Sequence, residues 1–204
     1  AHAPGMVPLS LDALGAAYYA GNAHKWLCAP KGAAFLHVRG DLRASVHPTS
    51  ISHGFTPEAT PGRFRAEFDW TGTADPTAYL AVPDAIAFVG SLVPGGWPEV
   101  MGRNRELALE ARALLLEALG ADAPAPESMV GSIASVPLPA PAPGSPAARL
   151  PHDGLTSWFR ERGVETWLYP WPAPGGKLLR VSAQLYNARE EYARLAELVR
   201  EALG

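Results

Sequence analysis

A single cysteine, Cys28, in 204 residues leaves no internal disulfide possible and fits a reducing compartment, which points to the cytoplasm. Cysteine and histidine nowhere fall at zinc-ligand spacing. Positive charge is not in excess: the formal net charge is −3 and the isoelectric point about 6.1, which argues against a nucleic-acid-binding face. No apolar run approaches the roughly 18 residues that a membrane span needs. The richest ones, Ala78–Val93 and Leu107–Leu119, are broken by Pro83 and Asp84 and by Glu110, Arg112 and Glu117. No internal repeat is visible. There is also no initiator methionine and no signal peptide ahead of Ala1-His2-Ala3-Pro4, so the sequence reads as starting inside something longer.

What is present is enough to build a core, since 48% of the residues are hydrophobic. Leu9–Tyr19 is expected to form a short helix capped by Ser10, with Asp12 in its first turn. Ala33–Val38 is a compact apolar run ended by Gly40-Asp41, the pattern of a buried strand. Arg63–Trp70 alternates loosely and stops at the turn Thr71-Gly72-Thr73, after which Asp75 and Pro76 open a helical pattern over Thr77–Val89.

Pro94-Gly95-Gly96 breaks the chain. Trp97–Leu119 is the strongest helix, with Val100, Leu107 and Leu114 in its apolar stripe, Arg103, Arg105, Glu106 and Glu110 opposite, and Gly120 as its stop. Ala121–Glu127 and Val136–Pro151 read as proline-rich linkers without regular helix, flanking a strand over Ser128–Val136. His152-Asp153-Gly154 leads into a helix over Leu155–Arg162. Strands at Val164–Tyr169 and Leu178–Ala183 and a terminal amphipathic helix at Ala188–Leu203 complete the pattern. The expected organisation is an α/β region over 1–93 and a smaller α+β region over 94–204 that includes the long connecting helix.

The densest chemical signal is Tyr18-Tyr19-Ala20-Gly21-Asn22-Ala23-His24-Lys25-Trp26-Leu27. A lysine amine is a nucleophile only when deprotonated, and an apolar, aromatic-flanked setting is one way to lower its pKa from about 10.4. Taken alone, the same residues also suit a surface lysine on a turn with His24 as a hydrogen-bonded spacer. Thr71-Gly72-Thr73 offers amides and hydroxyls to an anion, or simply starts a helix. Arg180, between Leu179 and Val181, reads by itself as an outward-facing edge-strand residue.

The run Gly21-Asn22-Ala23-His24-Lys25-Trp26-Leu27-Cys28-Ala29-Pro30-Lys31-Gly32-Ala33-Ala34-Phe35-Leu36 strongly resembles the lysine segment of class V aminotransferase-fold enzymes, in the branch typified by isopenicillin N epimerase. The resemblance implies the fold of pyridoxal-phosphate-dependent transferases (fold type I, aspartate aminotransferase-like). The chain would supply the C-terminal part of the large domain and then the small α+β domain. It implies pyridoxal 5′-phosphate as cofactor, Lys25 as the catalytic lysine that forms the internal aldimine, and Asn22 and His24 as phosphate contacts. Phe68-Asp69-Trp70-Thr71-Gly72-Thr73-Ala74-Asp75-Pro76 resembles the family's Gly-Thr turn, so Gly72 and Thr73 are expected to reach the phosphate held by the other subunit of a homodimer. Leu178-Leu179-Arg180-Val181-Ser182 resembles the strand whose arginine binds the substrate α-carboxylate. Ala1-His2-Ala3-Pro4 resembles the end of the family's Asp-Gly-Ala-His element. His2 would contact the cofactor's ring oxygen, and the aspartate that pairs with the pyridinium nitrogen would precede Ala1, in a missing N-terminal half.

The implied activity is chemistry at Cα or Cβ of an amino acid. It is epimerase-like, with carbon–sulfur lysis, cysteine desulfuration or transamination as alternatives on the same fold. Cys28 lies in the wrong place for a desulfurase persulfide and reads as a small packed residue. The 204 residues alone are expected to be inactive without the aspartate that makes the ring an electron sink. A non-enzymatic reading is a truncated chain that keeps only a dimer surface. A third reading makes His24 and His53 metal ligands. His53 also suits a substrate entrance or a plain loop, and His37, His47 and His152 read as structural.

Overall fold

The computed structural model describes residues 1–56, 62–151, 154–171 and 176–204, and the chain divides into two compact units, Ala1–Gly96 and Trp97–Gly204. The His152-Asp153 lead-in and the reading of His152 lie outside the described residues.

In the first unit, α1 (Leu11–Leu14) is a single turn, because Gly15 takes a left-handed conformation and closes it; the Ser10 hydroxyl accepts from the Ala13 amide as expected. The expected longer helix therefore stops early, and Tyr18 and Tyr19 belong to β1 (Tyr18–Asn22). β1 pairs antiparallel with β2 (Ala34–Val38), Tyr18 opposite Val38 and Asn22 opposite Ala34. The expectation of a buried strand fails here. Val38 is buried, but Phe35 and Leu36 are exposed, because the ribbon has only two strands and nothing in the unit covers both its faces.

Arg63–Asp69 is not extended but forms helix α2, its register fixed by the Arg63–Glu67 ion pair one turn apart. Helices α3 (Thr77–Leu80) and α4 (Val82–Ser91) follow. Ala78, Val82 and Ala85 pack against Ala23, Ala29 and Ala33, so the small side chains between β1 and β2 form a tight core of their own.

The second unit has the larger core. Helix α5 (Gly96–Leu119) buries Val100, Asn104, Ala108, Ala111, Arg112 and Leu115. This stripe is displaced from the one anticipated, and Leu107 and Leu114 lie at its margins. The two buried polar residues are tied outside the helix: Asn104 Nδ2 donates to Gln184 Oε1 at 2.8 Å, leaving its Oδ1 without a partner among the described residues, and Arg112 Nη1 donates to the Ala125 carbonyl at 2.8 Å. Three antiparallel strands follow in the spatial order β3 (Ile133–Leu138), β5 (Lys177–Ser182), β4 (Trp167–Pro170). Helix α6 (Pro146–Arg149) interrupts the expected linker. Its proline occupies the first turn, where no amide is needed, and Ser145 caps it. Helix α7 (Gly154–Glu161) and helix α8 (Arg189–Leu203) join α5 on one face of the sheet, with Leu115, Val136, Phe159, Leu179, Leu198 and Val199 fully buried between them. No single described helix is long and apolar enough to cross a membrane.

Candidate functional site

Lys25 stands on the loop between β1 and β2. That loop folds back on itself: the Ala23 and His24 amides both donate to the Ala33 carbonyl, and the Ala29 amide donates to the Ala23 carbonyl. Ala23, Ala29 and Ala33 face inward, and their small size lets the strands close to this distance. The His24 imidazole reinforces the same junction, with Nδ1 2.8 Å from the Ala33 carbonyl, a bond that requires the proton on Nδ1. Cys28 completes the turn with φ of 59° and its amide bonded to the Lys25 carbonyl. It is exposed, so the packed role anticipated for it is wrong; the left-handed turn directs the residue out of the core.

His2 comes to this loop from a separate segment. Met6 and Val7 donate to the Ala3 carbonyl, forming a turn whose Gly5 rests directly on the Trp26–Leu27 backbone. A Cβ on Gly5 would sit 2.7 Å from the Trp26 carbonyl oxygen, and φ at Gly5 is +78°, so only glycine fits there. The Asn22 amide donates to the Ala1 carbonyl at 3.1 Å. The result is a half-buried contact of 3.1 Å between Lys25 Nζ and His2 Nε2, linking residues 23 apart in sequence. His2, Asn22, His24 and Lys25 are thus brought together.

Gly72 and Thr73 occupy an exposed turn. The helix expected to follow directly begins only at Thr77, and its first amide is capped by Asp75 Oδ1 at 2.9 Å, a carboxylate that fills the place imagined for an anion. The turn is tied to the lysine loop through α3 and α4, whose Ala78, Val82 and Ala85 pack on Ala23, Ala29 and Ala33. Among the described residues no hydrogen bond joins Gly72 or Thr73 to Lys25.

Arg180 belongs to the second unit. Leu179 and Val181 are buried against the helices, so strand alternation puts Arg180 on the other face of β5, opposite Trp167 on β4 and Ser135 on β3. Its guanidinium lies 4.8 Å from the Tyr169 ring centroid, and among the described residues no carboxylate pairs with it. Tyr192 holds the strand from behind, its hydroxyl donating to the Ser182 carbonyl at 2.7 Å, and burial pushes its phenol up to about 12.

Two features escaped the motif reading. One is Gly5, which positions His2. The other is a buried carboxylate, Glu67, with Oε2 2.6 Å from His47 Nδ1 and Oε1 2.5 Å from Arg63 Nε. Their hydrogen bonds hold it well below the ordinary carboxylate range, His47 contributing most, and above that depressed value it stays ionised. The Arg63…Glu67 spacing was the available signal, masked by the apparent alternation of the segment. His53 is exposed, and among the described residues no cluster of three His, Cys, Asp or Glu side chains is placed to hold a metal ion.

No family model matches the chain. Among curated proteins it is similar to the isopenicillin N epimerases of Streptomyces clavuligerus, at 35% identity over all of this chain and 52% of that protein, and of Amycolatopsis lactamdurans, at 38% over 98% of this chain and 50% of that protein. A putative L-cysteine desulfhydrase of Oryza sativa subsp. japonica matches at 32% over 98% of this chain and 44% of that protein. Among solved structures, the apo cysteine desulfurase of Thermococcus onnurineus NA1 superposes with a TM-score of 0.73 at 16% identity, covering 100% of this chain and 51% of that one. A C-DES mutant with glycine covalently linked to its PLP cofactor superposes with a TM-score of 0.73 at 18% identity, covering 97% and 49%. The fold is therefore the α/β fold of these proteins, and the chain spans about half the length of the curated relatives it matches.

Proposed function

We propose, on the premise that the chain is the C-terminal half of a class V aminotransferase-fold protein of the isopenicillin N epimerase branch, that it is the lysine-bearing half of a pyridoxal-phosphate-dependent enzyme acting at Cα or Cβ of an amino acid. The observation that carries this is the pairing of the Lys25 amine with the His2 imidazole at 3.1 Å in a half-buried site. An amine beside an imidazole nitrogen, held by backbone contacts on both sides, is the donor set that an aldehyde cofactor requires.

The cofactor, when bound, supplies an electron-withdrawing ring in conjugation with the substrate nitrogen. The chain's own residues do the rest. Lys25 would hold the cofactor's aldehyde and would move the proton at the substrate Cα. His2 would orient the amine and contact the cofactor's ring oxygen. His24 and Asn22 hold the phosphate from the lysine side, and Gly72 and Thr73, exposed and unbonded to Lys25 in their own chain, serve the phosphate of a partner subunit in a homodimer. Arg180, with its planar fork free of carboxylates among the described residues, takes the substrate α-carboxylate. Epimerisation is the leading reaction because the two epimerases match at 35% and 38% identity, against 32% for the desulfhydrase. Carbon–sulfur lysis is the second reading, favoured by the desulfhydrase relative.

The test is spectroscopic. Pyridoxal phosphate added to the chain is expected to produce a visible band that borohydride abolishes, leaving added mass on Lys25 and none on Lys31 or Lys177. The Lys25→Ala chain should show neither band nor label. A label distributed over all the lysines, or a band that survives Lys25→Ala, would sink the assignment.

A further inference from the structure

Glu67 is a fully buried carboxylate that the proposed chemistry does not use. It lies in the last turn of α2, one turn before the exposed segment Trp70-Thr71-Gly72-Thr73. Its two oxygens are held separately, Oε1 by Arg63 of its own helix at 2.5 Å and Oε2 by His47 of the preceding loop at 2.6 Å. Both partners close on Phe55: the Arg63 guanidinium lies 4.4 Å from the ring centroid and the His47 ring meets it edge-on at 5.7 Å. Two more ties join the same loop to the same end of the helix. Ser52 donates its hydroxyl to the Trp70 carbonyl, and Gly54 abuts the Ala66 carbonyl so closely that a side chain has no room.

A carboxylate is a costly way to fill a buried site. Desolvation consumes most of what the ion pairs return, and an apolar residue of the same volume commonly does as well for stability. What an apolar residue lacks is direction. Two oxygens gripped by donors from two segments fix both the rotation and the height of the helix end relative to the loop, whereas apolar packing tolerates sliding. The segment whose position this fixes is the one that leaves α2 at Trp70.

We propose that Glu67, through His47 and Arg63, is a positioning residue for the Gly72–Thr73 turn, setting where its amides and hydroxyl meet a phosphate ester. This rests on the reading of that turn as a phosphate contact. The ligand chemistry it governs is the ester of the cofactor, not the aldehyde that reacts with Lys25. Pyridoxal phosphate and unphosphorylated pyridoxal therefore separate the two.

The experiment uses the full chain and three variants, Glu67→Gln, His47→Ala and Thr73→Ala, with two readouts. Backbone ¹⁵N relaxation reports the order of Trp70–Thr73, with Tyr18–Asn22 as an internal control. Spectral titration gives the affinity for pyridoxal phosphate relative to pyridoxal. In the unmodified chain the turn is expected to be ordered. Glu67→Gln and His47→Ala should drop its order parameters toward the flexible range, below about 0.6, while the strand stays near 0.85. Both should cut the preference for the phosphorylated aldehyde about tenfold, with pyridoxal affinity within about twofold of the unmodified chain. If Glu67→Gln loosens the strand as well, His47→Ala, altered at a half-exposed side chain, decides alone. A turn already mobile in the unmodified chain overturns the proposal, as does one that stays ordered in both variants. If Thr73→Ala leaves the preference intact, the phosphate reading of the turn fails and the proposal with it. If Thr73→Ala erodes the preference and the other two do not, the reading stands and the positioning role falls.

Discussion

Replacing Gly5 by alanine isolates what brings His2 to Lys25. The substitution carries two costs. A left-handed backbone costs a residue with a Cβ about 1–2 kcal/mol. The new methyl would also lie 2.7 Å from the Trp26 carbonyl oxygen, against roughly 3.3 Å for the closest ordinary carbon–oxygen approach. Relieving an overlap of about 0.6 Å means lifting the 3–7 turn off the lysine loop or bending that loop, for a combined cost of about 2–3 kcal/mol. At 1.4 kcal/mol per tenfold, the docked turn becomes roughly 30- to 100-fold less populated relative to the undocked one. The Asn22 amide reports docking directly, because its hydrogen-bond acceptor is the Ala1 carbonyl. Its hydrogen exchange should accelerate by about that factor in Gly5→Ala, and pyridoxal phosphate affinity should fall with it. Gly15→Ala is the control: φ there is +64°, yet no atom lies within 4 Å of the added methyl, so it carries the backbone cost without the collision. If Asn22 exchanges equally fast in the two variants, the close approach of Gly5 does not hold His2 in place and the reasoning is wrong.

Arg180→Lys keeps the charge and loses the planar fork, so binding of an amino-acid carboxylate to the cofactor-loaded chain should weaken about tenfold by spectral titration; an unchanged affinity removes Arg180 from the site. The Tyr192 phenol is neutral when protonated, and its folded value of about 12 exceeds the usual 10, so its contribution to stability is complete below pH 10 and disappears as pH rises through 12. Tyr192→Phe should cost about 1 kcal/mol at neutral pH through the lost bond to Ser182, and that difference should shrink through the alkaline window. Denaturant unfolding of both chains from pH 9 upward measures it, and a difference that stays flat with pH counts against the burial argument.

Much of the site was legible because its chemistry is contiguous. Asn22, His24 and Lys25 sit within one run, and the helix from Trp97 was readable from its period and its terminal Gly120. The misreadings arose where two patterns coexist. Phe64, Ala66, Phe68 and Trp70 alternate like a strand, yet Phe64 also packs at a tilt against Phe68 and Arg63 pairs with Glu67 at helical spacing, and the ion pair to the buried Glu67 decided for the helix. Pro146 looked like a breaker but starts a helix behind the Ser145 cap. In α5 the buried stripe runs through Asn104 and Arg112 because partners outside the helix, Gln184 and Ala125, accept from the Asn104 amide nitrogen and the Arg112 guanidinium, and no hydrophobicity pattern encodes that.

The contacts between distant segments share one construction. His2 meets Lys25 across 23 residues and His47 meets Glu67 across 20. In each case a glycine on the histidine's side, three residues after His2 and seven after His47, lies flush against a carbonyl of the other segment: Gly5 on Trp26, and Gly54 on Ala66. Each carbonyl belongs to the residue adjacent to the functional side chain, Trp26 beside Lys25 and Ala66 beside Glu67. A backbone without Cβ approaches a neighbouring chain by more than an ordinary side chain allows, and that closeness is what puts a short imidazole within hydrogen-bond reach of an amine or a carboxylate. The lysine-bearing run thus supplies the proposed reactive groups, while the glycines that precede it and follow it in the chain specify how near the paired side chains come. Substituting either glycine should therefore disturb the pairing while leaving every chemically reactive residue in place.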